Sequence, residues 1–483
     1  MNKRQRFTAI LLAAILAAGD VAASAQETAH ALPAGHSAVA PDMMAAQPAA
    51  ASDISAGKRT VVLSLDKCVE IALGDNPTVK VADMEIKRAD YSKKETLASL
   101  FPQIDFGLQY SRSIELQSLK MNFGDQSQTI KMGQDNSWGM GFSVSLPVIA
   151  PQLWKSLQIS DTQILASLES SRSSRLDLIN QVEKAYYALL LAKASKEVLL
   201  QNYDNAVFNA DLYKKKFEAG TASEYDVLRS SVQVKNVEPQ ILQADISVRQ
   251  AQLQLAILMG LDADIAVEPD TDLKNYQQDM FARQDGGYSI EENTQLRALD
   301  IQRQTLRRNV ELKKLAWVPT LAATFNLNWS SLSNGNMFKH LDLNPYSNVG
   351  FALSVPIFSG GSKYYGLKQS KIQLAEAELQ RENLVRSINM QLELAVDNIN
   401  MEVRQIESSA EGVREAEKAH EIMQKSFEIG AATYLDLRDS ELAETSARLV
   451  YYQAIYNYLV SNSELDLLLG RRVASSEMTR QKR

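Results

Sequence analysis

Two aspartates with the same spacing from a hydroxyl residue are the first candidates for chemistry in this chain. Asp226 lies three residues after Ser223, and Asp436 lies three residues after Thr433. A hydroxyl residue followed at the third position by an acid predicts a capping box, which restarts a helix. A carboxylate in a first turn also interacts favourably with the helix dipole. Asp439 lies one turn further on, where capping explains it less well.

The sequence offers no constellation suited to catalysis or metal binding. It contains no Gly-x-Ser-x-Gly and no His/Glu pair at metal-ligand spacing, and Cys68 is its only cysteine, so an intrachain disulfide or cysteine cluster is excluded. The four histidines are scattered: His30, His36, His340 and His420. The net charge of −7 and the absence of Lys/Arg runs argue against a nucleic-acid partner. We therefore expect a protein that is not an enzyme and needs no metal or other cofactor.

The aspartates belong to a stretch that occurs twice, at Phe217–Arg229 and at Phe427–Asp439, 210 residues apart. In both copies a glycine (Gly220 or Gly430) follows the last helical turn, where a left-handed residue closes a helix. Each copy therefore predicts the tip of a helical hairpin. Two further pairs keep nearly the same offset: Pro147 with Pro356, and Gly260 with Gly470. A repeat of this length indicates a duplicated domain rather than a solenoid.

Very long helices lead into both tips. Residues 152–219 and 363–429 contain no proline, and each run would form a rod of about 100 Å at ~1.5 Å per residue. Apolar residues recur at intervals of three and four, close to the seam of a coiled coil. Shorter return helices are expected at about 224–259 and 434–469. Pro239 lies inside the first of these and predicts a kink near residues 237–239.

Four segments alternate apolar with small or polar residues, as strands do. They lie at about 103–112, 137–147, 320–330 and 348–357, and a polar loop at about 113–136 separates the first two. The pattern alone fits a soluble sandwich or a membrane barrel. The lengths suit tilted strands that cross a bilayer. Four strands cannot close a barrel, so a membrane barrel would need several chains, with eight strands from a dimer or twelve from a trimer.

The N-terminal residues predict where the protein is exported, and the remaining segments complete the predicted domain boundaries. Residues 1–25 have the basic start, short apolar run and small-residue cleavage site of a signal peptide, so we expect export to the bacterial periplasm or outer membrane. The remaining predicted segments are a flexible leader at 26–58, a first repeat at 59–261, a connector at 262–290, a second repeat at 291–470 and a basic tail at 471–483.

The whole pattern resembles the TolC-type outer-membrane efflux proteins. The resemblance covers about residues 61–470 and rests on the duplicated order of helices, strand pairs ending in Ser-Leu-Pro or Ser-Val-Pro, and Phe-Glu-x-Gly tips. It implies a mainly α fold with a membrane β-barrel, in which duplicated long hairpins form a periplasmic α-barrel. Four strands per chain would complete the twelve-stranded barrel of a homotrimer in the outer-membrane lipid. The implied function is a passive exit duct for efflux or type I secretion.

The resemblance also implies partners and site residues. A periplasmic adaptor would dock at the hairpin tips, marked by Gly220, Gly430, Ser223 and Thr433, and an inner-membrane pump of RND or ABC type would supply the energy. Carboxylate rings would narrow the periplasmic entrance, which the matching motif places at Asp436 and Asp439. Three copies of one carboxylate in a narrow aperture repel one another and favour cations. The acid that braces the closed state matches Asp226.

This chain departs from the family pattern at two bracing positions. A tyrosine is replaced by Phe427, which lacks a phenolic donor, and an arginine by Ala432, which cannot form an ion pair. The lock of the closed state must therefore differ here. Two other classes of protein are alternatives: a periplasmic coiled-coil adaptor or structural protein without a pore, of which an adaptor would carry a compact β domain inside one hairpin, and a barrel hydrolase. The sequence has neither that domain nor a nucleophile–base constellation.

Overall fold

A computed structural model describes residues 59–123, 126–262, 264–275, 281, 287–334 and 342–471. The predicted signal peptide and leader lie outside the described residues, as do the tail after Arg471, part of the connector, and His340.

The structure consists of two similar halves. The first contains β1 (Arg59–Leu63), α1 (Leu65–Asp75), α2 (Pro77–Ala98), β2 (Gln103–Arg112), β3 (Gln117–Phe123), β4 (Gln126–Met132), β5 (Asn136–Ile149), α3 (Pro151–Glu218) and α4 (Glu224–Leu258). After β6 (Ile265–Pro269) the second contains α5 (Thr294–Leu315), β7 (Thr320–Ser333), β8 (Asn344–Ser354), α6 (Ser362–Glu428) and α7 (Tyr434–Leu468). The two long helices have 68 and 67 residues, and each return helix has 35.

One apolar core joins the halves along α3. Tyr186 and Leu189 of α3 are fully buried in the same cluster as Ile399 of α6 and Ile455 of α7. Burial of side chains this large contributes about 1.5–3 kcal/mol each, which holds the second hairpin against the first. Helix α4 continues through Pro239 without interruption. The predicted kink at this proline stays a prediction.

The four predicted strands form one antiparallel sheet in the order β2-β5-β7-β8. The central pairing of β5 with β7 places Phe142 opposite Leu327 and so joins the two halves. A register shift follows Pro147, as expected where proline cannot donate to the ladder. Strand β8 spans Asn344–Ser354 where the sequence predicted 348–357. It ends at Ser354 because its partner β7 begins at Thr320, directly opposite Ser354, so the sequence interpretation placed this strand too late.

Two strand pairs were missed from the sequence. The predicted polar loop at 113–136 contains the hairpin of β3 and β4. Leu119, Met121 and Phe123 do alternate with polar residues there, a short-period signal that the polar composition obscured. The connector contains β6, which pairs in parallel with β1. A parallel partner some 200 residues away leaves no local signal in the sequence.

Matching joints connect the end of each return helix to the start of a shorter helix. The amide of Asn76 donates to the carbonyl of Leu258 at 2.8 Å, and the amide of Asn293 donates to the carbonyl of Leu468 at 2.7 Å. Each asparagine also caps its own helix, α2 or α5. These bonds satisfy carbonyls that a helix end otherwise leaves without partners. Each joint therefore fixes the start of α2 against the end of α4, or the start of α5 against the end of α7.

The second joint predicts a large difference between two glycines. Gly470 has φ +67° and lies against Glu292, whose carbonyl oxygen a Cβ would overlap, whereas Gly430 has φ +80° and open space around its Cβ position. Alanine costs about 1–2 kcal/mol at either site because of the left-handed backbone. At Gly470 the overlap adds about 1–3 kcal/mol. We expect Gly470→Ala to lower the apparent melting temperature, measured by circular dichroism, clearly more than Gly430→Ala; equal losses would contradict the close joint.

Candidate functional site at the hairpin tips

Both tips have the backbone geometry that their glycines predict. After α3 ends, the amide of Thr221 donates to the carbonyl of Lys216 at 2.8 Å, and Gly220 has φ +75°. After α6 ends, the amide of Ala431 donates to the carbonyl of Ser426 at 2.8 Å. In this Schellman-type ending, backbone amides beyond the helix bond to carbonyls of its last turn, and the chain reverses within a few residues. Each long helix therefore ends in a compact, hydrogen-bonded turn.

Both predicted capping boxes are present. The amide of Thr433 donates to a carboxylate oxygen of Asp436 at 2.9 Å, and the amide of Asp436 donates back to the Thr433 hydroxyl at 3.3 Å. Ser223 and Asp226 exchange the same two bonds at 3.1 and 3.2 Å. Hydrogen bonds from the hydroxyl and the backbone amide lower the pKa of both carboxyls. A lowered pKa means that the caps are intact at neutral pH and are lost as the pH falls through it.

Asp439 occupies a different environment. It is exposed and lies one turn beyond the capping box of α7. Its counterpart in the first half, Arg229, places its guanidinium 6.0 Å from the ring centroid of Tyr434. The first tip therefore directs a cation at the second hairpin, while the second tip presents an exposed carboxylate. The two tips are alike in backbone and different in charge.

Phe427 lies in an aromatic cluster between the hairpins and is only 9 % exposed. Its ring centroid is 6.3 Å from that of Tyr213 on α3, which lies 5.1 Å from that of Tyr434. The ammonium of Lys216 lies 4.9 Å above the Phe427 ring. We call Tyr213, Phe427, Tyr434 and Leu437 the tip cluster. It connects the two hairpins by packing and cation–π attraction.

Sequence reasoning missed most of the tip cluster. It selected Phe427 by resemblance alone and overlooked Tyr213, Tyr434 and Lys216. One signal was available in the sequence: α3 has two aromatic residues, Tyr213 and Phe217, within two turns of its tip. Their contact with the second hairpin is not readable from the sequence, because some 220 residues separate the partners. Burial raises the pKa of the Tyr213 and Tyr434 phenols, so both stay neutral.

A row of polar contacts around Glu441 and Arg448, here called the polar seam, lies next to the tip cluster on the side away from the turns. The amide of Asn209 on α3 donates to Glu441 on α7 at 3.2 Å, and burial raises the pKa of that carboxyl. Arg448 forms ion pairs with Glu444 at 2.7 Å and with Glu417 at 2.9 Å. Its guanidinium also donates to Gln201 of α3 at 2.6 Å. These contacts join three helices, so movement of one hairpin must break polar as well as apolar contacts.

The chemistry available at the site is charge and packing. Within the described ranges, no group of three or more His, Cys, Asp or Glu side chains is arranged to hold a metal ion. Cys68 is buried far from the tips in the main core, where burial raises its pKa to about 12 and leaves the thiol unreactive. In the part of the chain that the structure covers, no helix is sufficiently long and apolar to cross a membrane.

The family model for the outer membrane efflux protein matches residues 68–261 and 288–471, which are the two halves described above. The chain belongs to the outer membrane efflux protein family. Among curated relatives, outer membrane protein TolC of Vibrio cholerae is 22 % identical over 378 residues, covering 77 % of this chain and 83 % of the relative. Alkaline protease secretion protein AprF of Pseudomonas aeruginosa is 23 % identical over 414 residues, covering 83 % of both chains.

Solved channel structures share the fold of this efflux protein. The CmeC outer membrane channel of Campylobacter jejuni superposes with a TM-score of 0.66 at 17 % identity, covering 92 % of this chain and 97 % of that one. The open state of the Neisseria gonorrhoeae MtrE channel gives a TM-score of 0.65 at 16 % identity, covering 87 % and 94 %. The predicted family, fold class and outer-membrane localisation are thereby confirmed. The family consists of transport channels rather than enzymes.

Proposed function

We propose that this efflux protein is the outer-membrane subunit of a tripartite efflux or type I secretion system, and that three copies close into one exit duct. This proposal rests on the lateral order in which the helices and strands pack. On the side of the joints that leads to the sheet, α3 packs against α2 and α5, and α5 packs against α6. On the side that leads to the tips, α3 packs against α4 and α7, and α7 packs against α6. The sheet follows the same order, β2-β5-β7-β8. The sheet, the helices between the sheet and the joints, and the helices between the joints and the tips thus share one lateral order. In each of these three layers the chain has a free edge on the same two sides.

Aligned free edges favour a ring built from copies of this chain. The edge of β2, α2 and α4 would meet the edge of β8 and α6 in the next copy, a head-to-tail contact that closes into a ring when the rotation fits. A sheet with open edges is not tolerated in hydrocarbon. Three copies supply twelve strands, and the exposed Phe106, Leu108, Val349 and Phe351 would face lipid.

Exposed apolar stripes on the two free helices support the same contact. Helix α4 exposes Leu228, Val232, Leu242, Ile246 and Ile257, and α6 exposes Ile372, Leu379, Met390, Leu394 and Ile422. At 100° of rotation per residue, the five positions of each helix fall within an arc of about 80°, so they follow one face. Apolar faces that extend over most of a long helix are a mark of protein–protein interfaces. Each stripe lies on one of the two free edges.

The tips supply the partner surface and the aperture of the proposed duct. Gly220, Ser223, Gly430 and Thr433 build compact turns to which a periplasmic adaptor would dock, and an RND- or ABC-type pump would energise transport. Ile429 beside the second turn is 82 % exposed, which gives the docking surface an apolar contact. Asp226 and Asp436 act chiefly as caps. Asp439, exposed and free of a capping role, is the residue that we place at the constriction.

Asp439→Asn tests this constriction. The amide has nearly the shape of the carboxylate but no charge, so three negative charges leave the aperture at once. We expect the cation preference, measured as a reversal potential across a planar bilayer, to fall towards that of an unselective pore. Asp211→Asn removes an exposed acid further up α3 and should leave selectivity unchanged. Equal selectivity in wild type and Asp439→Asn would move the constriction to other residues.

A further inference from the structure

Each hairpin contains a groove between its two helices, and the two grooves occupy equivalent positions in the repeat. The first, about 700 Å³, lies between α3 and α4, and the second, about 450 Å³, lies between α6 and α7. At the offset of 210 residues their lining corresponds: Ala192 with Glu402, Pro239 with Leu449, Gln243 with Gln453, and Ser247 with Asn457. The duplication therefore preserved a concave surface and placed an acid in only one copy.

In the part of the chain that the structure describes, the buried carboxylate of Glu402 in the second groove has no basic partner. It is 9 % exposed, and burial raises its pKa, while among the described residues only the amide of Asn457 offsets that rise. The amide of Gln453 donates to the Asn457 carbonyl at 2.8 Å, which leaves the amide hydrogens of Asn457 to face Glu402. A carboxylate removed from water is stabilised far better by a cation than by one neutral amide. The described lining of the groove thus places no positive charge beside Glu402.

The rest of the lining defines what kind of cation would fit. Met401, Leu449 and Val450 supply apolar walls, and the three amide side chains of the lining supply a few polar contacts. A concave site of several hundred cubic ångströms with apolar walls and one charge is typical of small-molecule sites. Methionine adapts its shape to varied apolar ligands. Among the described residues of this lining, Glu402 is the only titratable side chain, so the charge that they give the site depends on Glu402.

We propose that the groove between α6 and α7 binds an amphipathic organic monocation, with Glu402 as the counter-charge and Met401, Leu449 and Val450 as the apolar contact. The lining lies within one chain. Met401, which is 56 % exposed, lies on the same face of α6 as the apolar stripe, so the groove opens beside the proposed subunit contact. The equivalent groove of the first hairpin has the shape without the charge and does not bind such cations.

Equilibrium dialysis of the full-length, detergent-extracted protein tests the proposal with a matched pair of probes. Tetraphenylphosphonium and tetraphenylborate have nearly the same size and shape and opposite charge. We expect saturable binding of tetraphenylphosphonium and none of tetraphenylborate. Glu402→Gln should weaken the cation by about tenfold or more, as expected for loss of a charge-assisted contact. Wild-type affinity should fall as the pH drops through the pKa of Glu402, and the Glu402→Gln variant should lose this dependence.

Ala192→Glu supplies a gain-of-function arm. It places the acid in the equivalent groove and should raise the number of bound cations per chain from one to two. The protein is measured in its assembled form, so a neighbouring chain that covers the groove would abolish wild-type binding and overturn the proposal. Equal affinity in wild type and Glu402→Gln would also overturn it, because binding would then be apolar partitioning. A lower melting temperature of the Glu402→Gln assembly without change in cation affinity would assign Glu402 to a subunit contact instead.

Discussion

Ile246→Glu should yield folded chains that no longer assemble. Ile246 is 59 % exposed on the apolar stripe of α4, and in the proposed ring it is buried against the next copy. The substitution forfeits about 1.5–3 kcal/mol of apolar burial and adds the desolvation of an unpaired carboxylate, several kcal/mol more, at every interface. Light scattering of the detergent-extracted protein should report single chains at concentrations where the wild type is expected to form the proposed trimer.

The companion change on the opposite edge makes this prediction specific. Leu394→Glu on α6 should have the same effect, because its stripe is the other half of the contact. Gln240→Glu adds the same charge at an exposed polar position on the flank of α4 and should leave assembly intact. If Ile246→Glu and Leu394→Glu both assemble as the wild type does, the stripes are not the subunit interface. A wild type of two chains would instead indicate an eight-stranded barrel.

Tyr213→Ala should open the periplasmic end. Tyr213 is the central member of the tip cluster, in contact with Phe427 and Tyr434 of the second hairpin and with Lys216 above its ring. Removal of a buried aromatic side chain costs about 3–5 kcal/mol, and three copies lose it together in the proposed trimer. Since the cluster joins the hairpins at the tip, we expect a larger single-channel conductance and little change in the melting temperature of the remaining body.

Two control variants separate loosening of the tip from general damage. Tyr213→Phe keeps the ring contacts and should conduct like the wild type. Tyr225→Ala removes an aromatic side chain that is 68 % exposed at the first tip and should also leave conductance unchanged. A folded Tyr213→Ala channel with wild-type conductance would show that the polar seam around Glu441 and Arg448, not the tip cluster, keeps the hairpins together.

Features that depend on local sequence were predictable. The tips follow from Gly220 and Gly430, and the helix starts from Ser223 and Thr433 with their acids, because each motif forms its hydrogen bonds within a few residues. Long helices follow from runs without proline. The duplication was visible because equivalent residues keep one offset. These features decide the fold class and, through the resemblance they create, the family.

Features that depend on distant partners were not predictable. The pairing of β1 with β6 and the joint between Asn76 and Leu258 connect residues about 200 positions apart. The same holds for the tip cluster, in which Phe427 lies packed between the hairpins. The resemblance assigned Phe427 to gating by position, and only the three-dimensional contacts identify Tyr213 as its partner. Glu402 was likewise indistinguishable from the many exposed acids of the long helices.

Planar-bilayer recording of the purified wild-type protein tests the central claim most directly. The account predicts discrete single-channel steps of small, cation-selective conductance, because the tip cluster keeps the proposed periplasmic aperture narrow and Asp439 lines it. Protein that circular dichroism shows to be folded and helical, yet that never inserts or conducts, would contradict the proposed duct and favour a periplasmic coiled-coil role.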